Sequence, residues 1–556
     1  MRPLLRRWGH LLPGIAVHLA MTAALAIVAI VVWRTASVDA GAGSFTILQI
    51  NDLYKVEGLE KGKLGGLARV RSLRNALEKE GKPVLMLHAG DFLFPSVMSD
   101  YLDARSMIRC MNLLDGDAGE LDDNLIVTFG NHEFDNKSRD LLTNRVAESG
   151  FRWVTSTVRL RWADDSPFEP PSRRFRNVHD EIVQDVGGVK VGIFGLTVAG
   201  DDRPWVEYRY EDRVRLVGEA LQRLQEQGAQ VFIALTHQKL KDDIALAKKF
   251  PQIHLIVGGH DHSFTQRREG RTWITKADAD ARSVVRIDVE VLADGRVFAV
   301  PQRVELGLDI PRDSEMLQEV ARSRKDLEQA FLAKEKRNLT DQVGATDVLL
   351  EGVETAIRER ETALGNFLAD ELRKESGTEV AILNGGSVRI NDSILPGPIT
   401  EEDLKGIAYF NNKLVSFELS RNELLSVLEN SVSQIGQADG RFLQVSGLRF
   451  QYHVDRTTDP PSFKVGMDDV WLCPAGKDCK PLKDAGERIT VSTLDYLWEN
   501  GYKEDYNIFS KGKGGKSPDP LPGGQPDWPG VVRTALRNGG QPITPKLEGR
   551  ITRIDG

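Results

Sequence analysis

The chain has 556 residues, enough for two or more domains at roughly 100–200 residues each. With 41% apolar and 28% charged residues its composition is that of an ordinary globular protein, which excludes a collagen-like, disordered or coiled-coil architecture for the whole. The 73 Lys and Arg against 81 Asp and Glu leave a net charge of −8, so there is no electrostatic footprint for a nucleic-acid polymer, while a small phosphorylated ligand held by a few local cations stays open.

Three cysteines cannot supply a disulfide framework or a cysteine-rich zinc site. The run from Leu11 to Trp33 carries no charge and is long enough to cross a bilayer. Arg2, Arg6 and Arg7 precede it, which favours a cytoplasmic N-terminus and places the chain beyond Arg34 on the outer side, in the periplasm or at the cell surface. Residues 1–40 therefore read as a signal-anchor, in preference to a long signal peptide cut near Ala36–Ala40. In such an oxidising compartment Cys473 and Cys479 have the opportunity to pair, whereas Cys110 reads as a buried apolar residue.

From residue 45 to about 310, short apolar runs alternate with amphipathic stretches, the pattern of an α/β sheet domain. The strand-like runs are Phe45–Ile50, Val84–Leu87, Leu125–Phe129, Val231–Leu235 and Ile253–Val257, with helices expected over Leu67–Glu80, Ser138–Glu148 and Val214–Gln227. Trp273–Lys276, Val284–Val291 and Val297–Val304 come next without intervening helices and suggest an antiparallel finish to the sheet. Ser314–Arg337 reads as a solvated linking helix within a linker at 311–342. A second unit, 343–556, has helices expected near Glu361–Lys374 and Arg421–Val432 and a long loop at Lys511–Gly530.

The residues just after each apolar run carry the chemistry. The runs lead in turn to Asn51-Asp52, Gly90-Asp91, Gly130-Asn131-His132-Glu133, Thr236-His237 and Gly258-Gly259-His260-Asp261-His262. In an open α/β sheet ligands bind beyond the carboxyl ends of the strands, so these residues build one polar cluster. Its donors are oxygen and imidazole without thiolate, which suits zinc, manganese or iron. A single Gly-Asp or His-x-His is more often a turn or a core feature; five at equivalent strand ends are not a coincidence of that kind.

The series Asn-Asp, Gly-Asp, Gly-Asn-His-Glu-Phe-Asp, Thr-His and Gly-Gly-His-x-His resembles the calcineurin-like metallophosphoesterases, and Gly130–Asp135 resembles their 5'-nucleotidase branch. The resemblance implies a layered αββα first domain and an α/β second domain, with two divalent metal ions between strand tips. It implies that Asp91 bridges the metals, that Asp52 and His262 complete one site, and that Asn131, His237 and His260 complete the other. Hydroxide activated by the metals would attack phosphorus in line. His132 would face the leaving oxygen, with Asp135 holding its ring. One position departs from the family, which has Asp-x-His where this chain has Asp52-Leu53-Tyr54. Tyr54 either ligates as a phenolate, which would favour iron, or packs and donates a hydrogen bond, leaving one metal position a ligand short.

In the second unit Arg358-Glu-Arg360-Glu361, Leu383-Asn384-Gly385-Gly386-Ser-Val-Arg389, Tyr409-Phe410-Asn-Asn412 and Ser492-Thr-Leu-Asp-Tyr496 are similar to the C-terminal domain of 5'-nucleotidases. The similarity implies that Arg358 (or Arg360), Asn384 and Arg389 bind phosphate or ribose oxygens, that Asn412 belongs to the same substrate set, and that Phe410 and Tyr496 stack on a base. The family's acidic sugar contact is displaced to Asp505 or lost. The expected activity is hydrolysis of nucleoside 5'-monophosphates or related small phosphomonoesters. Sugar phosphates, nucleotide sugars, cyclic nucleotides and non-catalytic nucleotide binding remain alternatives, and no protein partner is implied.

Overall fold

A computed structural model describes residues 43–458, 461–474 and 478–555. The expected N-terminal signal or anchor lies outside them; among the described residues no helix is long and apolar enough to cross a membrane. The first domain contains two large sheets. In one, seven strands lie in the order Val297–Glu305, Ser283–Val291, Gly43–Ile50, Val84–His88, Asp122–Thr128, Phe151–Val154 and Val178–His179. In the other, six lie in the order Thr265–Glu269, Thr272–Lys276, Leu255–Gly259, Val231–His237, Val189–Thr197 and Glu181–Val186.

Strand periodicity of two sorts the side chains between layers. Phe45, Ile47, Leu85, Leu87 and Ile126 from one sheet pack with Val191, Ile193, Val231, Ile233 and Leu255 from the other in the space between them. The alternate residues Leu48, Ile50, Val84, Met86 and Val127 face helices, as do Phe194, Leu196, Ala234 and Ile256 of the second sheet. The result is an αββα stack. Two expectations need correction. The strand Thr272–Lys276 does not finish the first sheet but pairs in parallel with Leu255–Gly259 in the second, while Ser283–Val291 and Val297–Glu305 extend the first sheet antiparallel beside Gly43–Ile50. Apolar runs of similar length look alike whichever sheet they enter. The linking helix, Ser314–Glu335, is capped by Asp313 and is not merely solvated: Met316, Val320, Leu327 and Phe331 are buried in the first domain's core.

The second domain carries a four-stranded sheet, ordered Leu414–Ser420, Arg488–Leu494, Val380–Asn384 and Leu443–Ser446, and a five-stranded sheet built around Leu448–Asp455. Helices Ala363–Ser376 and Arg421–Val432 cover them, the latter opened by a capping box of Ser420 and Glu423. Cys473 and Cys479 form a disulfide, and Cys110 is buried and free.

Candidate metal centre and substrate face

The parallel strands of the two sheets end side by side, and the polar residues after them converge. His237 Nε2 lies 3.0 Å from Asp91 Oδ2 and 3.2 Å from Asn131 Oδ1; His260 Nδ1 lies 3.0 Å from the same Asn131 oxygen. His262 Nε2 lies 3.2 Å from Asp52 Oδ1. Asp52, Asp91 and His237 offer donor atoms that all fall within 4.8 Å of one another. Asp52, Asp91, His260 and His262 adopt φ of 50°, 59°, 82° and 56°, a left-handed conformation that side chains other than glycine rarely take and that clusters at functional sites.

Backbone contacts hold these conformations. The N–H groups of Asp52 and Leu53 donate to Gly90 O and Asp91 O at 3.0 and 2.8 Å. Gly130 permits the closest approach, since a Cβ there would fall 2.0 Å from Asp91 Oδ1. Glu133, to which the sequence pattern assigns no role, is fully buried; its carboxylate accepts from the N–H groups of Asp91, Phe92, Leu93 and Gly130 at 2.5–3.1 Å. It ties the Asp91 loop to the Asn131 loop. Behind His260, buried Lys276 reaches Asp261 at 2.6 Å and Asp243 at 3.0 Å and donates to Gly259 O, fixing the tip of a third strand.

The donor set fits divalent cations for a specific reason. His237 Nδ1 donates to Ala89 O at 2.7 Å, which aims the Nε2 lone pair of the neutral ring at the oxygens of Asp91 and Asn131. His262 Nδ1 is likewise engaged, by Glu354, so its Nε2 lone pair faces Asp52. Lone pairs set against carboxylates need a proton or a cation between them. Without metal a proton serves: burial opposes it, but Asp91 and Asp52 lift His237 to about 9, and Glu354 and Asp52 lift His262 to about 10. Burial would equally favour neutral carboxyl groups, yet His237 and His132 hold Asp91 down at about 2, and His262 and His237 hold Asp52 lower still. A bound metal would take the place of those protons.

Tyr54 places its hydroxyl inside this ring, 3.3 Å from Asp91 Oδ2, 3.2 Å from His262 Nε2 and 3.5 Å from Asp52 Oδ1. Burial and the Asp91 and Asp52 carboxylates keep it a neutral phenol in the metal-free site. His132 stands at the open side of the ring. Its N–H donates to Asp91 Oδ1 at 2.8 Å, its Nδ1 lies 2.8 Å from Asp135 Oδ2, and its Nε2 is 4.0 Å from Asp91 Oδ2. Burial weakens its affinity for a proton, but Asp135 and Asp91 outweigh burial and raise it. Two further histidines are turned to structure: His88 Nδ1 accepts from Gly90 N–H and His254 Nδ1 from Phe232 N–H.

The second domain closes over the ring. Arg358 and Arg389 are both nearly buried, with Arg358 Nη2 2.5 Å and Arg389 Nη1 3.6 Å from Glu354 Oε1; the Arg389 guanidinium lies 5.9 Å from the centre of the Tyr54 ring. Arg360 does not join them; it is half-exposed and paired with Glu351 at 2.7 Å, on the other side of its turn. Asn384 ends its strand buried, Phe410 and Tyr496 stand 39% and 38% exposed, and the Asn412 carbonyl accepts from Trp528 N–H. Burial, Glu504 and Asp201 make the Tyr496 phenol a weaker acid than usual. Asp505, one of the two outcomes expected for the acidic sugar contact, has a φ of 59° and pairs with Arg441 at 3.0 Å. Its neighbour Glu504 instead lies beside Asn384, and burial and Asp439 push its carboxyl up to about 7.

Comparison with known proteins decides the family. Residues 45–264 match the family described as calcineurin-like phosphoesterase, and residues 342–502 match the 5'-nucleotidase C-terminal domain. The chain belongs to the calcineurin-like phosphoesterases of the two-domain 5'-nucleotidase type. It is 26% identical over 550 residues to the trifunctional nucleotide phosphoesterase protein YfkN of Bacillus subtilis, covering 92% of this chain but 35% of that one. It is 27% identical over 475 residues to the snake venom 5'-nucleotidase of Crotalus adamanteus, covering 76% of each. Among solved structures, the 5'-nucleotidase precursor from Thermus thermophilus superimposes with a TM-score of 0.70 at 23% identity, over 92% of this chain and 99% of that one, a likeness of fold. Members of this family hydrolyse phosphoesters with two divalent metals, and Asp52, Asp91 and His237 form a candidate metal site here.

Proposed function

We propose that the chain hydrolyses small phosphomonoesters, nucleoside 5'-monophosphates foremost, in the cleft between its two domains. The observation that carries this reading is the convergence of imidazole lone pairs and carboxylates beneath two buried arginines from the other domain. Asp52, Asp91, Asn131, His237, His260 and His262 would hold two divalent ions. The ions, when bound, clamp a phosphoryl oxygen and activate water at neutral pH. His132, kept basic by Asp135, gives its Nε2 proton to the leaving oxygen. Arg358 and Arg389 take the phosphate oxygens as guanidinium forks. Asn384 meets the sugar, and Phe410 and Tyr496 flank a base with Asn412 at the loop that carries Phe410. Tyr54 donates its hydroxyl proton to Asp91 and leaves one metal position an imidazole short, so zinc or manganese binds there more weakly than at the other. Arg360, turned to Glu351, has no part.

The uncharged run 11–33 delivers the protein across a membrane as an anchor or signal, which places it in the periplasm or at the cell surface. The disulfide between Cys473 and Cys479 supports an oxidising compartment, as does the venom origin of one relative. Phosphate release from AMP by the purified chain, supplied in turn with zinc, manganese, cobalt and iron, tests the activity. Release from AMP is expected with at least one of these metals. Absence of release from any nucleotide or small phosphoester with all of them overturns the reading.

A further inference from the structure

Glu354 opens the short helix Glu354–Ile357 of the second domain and is 2% exposed. Its Oε2 accepts the Nδ1 proton of His262 across the domain boundary, while its Oε1 faces Arg358 and Arg389 at 2.5 and 3.6 Å. The residue is itself held from both sides. Its N–H donates to Asn391 Oδ1 at 3.1 Å, and Asn391 Nδ2 donates to Asp280. Asp280 Oδ1 in turn receives the N–H groups of Tyr54 and Lys55 at 2.7 and 2.9 Å, and Asp280 N–H bonds to Asp52 O at 2.9 Å. A closed circuit therefore runs from the Asp52–Tyr54 loop through the second domain and back to His262.

We propose that Glu354 is a positioning residue of the metal centre, supplied by the second domain. It fixes His262 in the tautomer whose Nε2 lone pair faces the ring, and its second oxygen sets Arg358 and Arg389 above the same spot. This rests on reading His262 as a metal ligand. A carboxylate bonded to the far nitrogen of a ligating imidazole orients the ring and raises its basicity, and losing it costs about 10–100-fold in metal affinity. A purely structural tie between domains would need no imidazole, because Arg358 alone already pairs with the Glu354 charge. The metal centre is then incomplete within the first domain. By reciprocity, metal binding favours the docked arrangement as much as docking favours metal.

The test is zinc and manganese affinity of the full chain, measured by competition with a chromophoric chelator for wild type, E354A, E354Q, H262A and K503A. Lys503 supplies a comparison, since it ties the domains through Asp201 at 2.8 Å without touching the ring. E354A is expected to weaken the affinity 10–100-fold and E354Q, which keeps the packing volume, about tenfold, with K503A within about twofold of wild type. Nitrogen-15 spectra of zinc-loaded wild type are expected to show His262 protonated at Nδ1. Wild-type affinity in E354A and E354Q beside a loss in H262A overturns this proposal alone. Unchanged affinity in H262A overturns the ligand reading of His262, and this proposal falls with it. Equal weakening in K503A and E354Q reduces Glu354 to a docking contact and overturns it as well.

Discussion

Around Asp91 the polar atoms meet one another: Oδ1 accepts from His132 N–H, Oδ2 meets His237 and Tyr54, and the flanking N–H groups end on Glu133. Across the cleft the second domain leaves Asn384 Oδ1, Arg389 Nη2, Arg358 Nε and Glu504 Oε2 buried without a partner. Each such atom costs about 1–3 kcal/mol unless something completes it. The difference separates two kinds of site. On the proposed reading the first holds ions in a fixed frame, and the second keeps hydrogen-bonding capacity for a substrate. Chemistry is expected to depend steeply on the first side and substrate choice on the second.

Metal removal and loss of His132 break the first side most severely. Exhaustive chelation is expected to abolish phosphate release, with recovery on adding back metal. If His132 protonates the leaving oxygen as proposed, His132→Ala is expected to lower kcat by about 10²–10⁴-fold with little change in metal content. Steady-state kinetics on AMP beside elemental analysis separates the two effects. Asp135→Asn leaves His132 in place but removes the charge that keeps it basic, so its kcat loss is expected to be smaller and to deepen as pH rises. A fall in metal content in His132→Ala matching its loss of activity would erase the distinction between frame and proton donor.

Tyr54 tests whether the frame is complete. Tyr54→His is expected to raise zinc affinity about tenfold or more by supplying the missing imidazole. Loss of a visible absorption band and of bound iron in the same variant would instead identify the tyrosine as a phenolate ligand.

The ring residues were legible in the sequence because each comes directly after an apolar strand of a parallel sheet, where position along the chain translates into position in space. Asp52, Asp91, Asn131, His237 and His260 all stand at such places. Two layers of sheet were expected from the family resemblance, but which strand enters which sheet was not legible, since the runs ending at Ile50 and at His237 carry the same pattern. Glu354 was invisible for a different reason: only the two-residue strand Leu350–Glu351 leads into it, and its partner His262 is 92 residues away in another domain. Glu133 lay within a recognised hexapeptide, but its bonds depend on how closely Gly130 passes Asp91. Arg358 and Arg360 differ only in which side of a turn each occupies.

The substrate side yields to smaller perturbations. Phe410→Ala and Tyr496→Ala are each expected to raise KM for AMP by about 5–100-fold, the worth of about 1–3 kcal/mol of base stacking, while leaving kcat/KM for p-nitrophenyl phosphate near wild type. Equal losses on both substrates would mean that the rings support the fold and not a base.

The smallest expected effect lies where the two sides adjoin. Glu57 is half-buried in a cavity of 440 Å³ between the Tyr54 loop, the linking helix and the second domain. Burial and Glu402 push its carboxyl up from 4.5 to about 7, against the pull of Lys55 and Arg324. The folded protein therefore binds this proton more tightly than the unfolded chain does. The resulting stabilisation is fully present below pH 4.5 and is lost as pH rises through 7. Partial access to solvent leaves a contribution on the order of 1 kcal/mol, or about 2 °C in Tm for a domain of this size. Glu57→Gln, always neutral, is expected to flatten the decline of Tm between about pH 5 and 8 and to melt about 2 °C higher than wild type at about pH 8. If wild type and variant fall in parallel across that range, the Glu57 charge is solvated, and the seam between ring and substrate face is wetter than its walls imply.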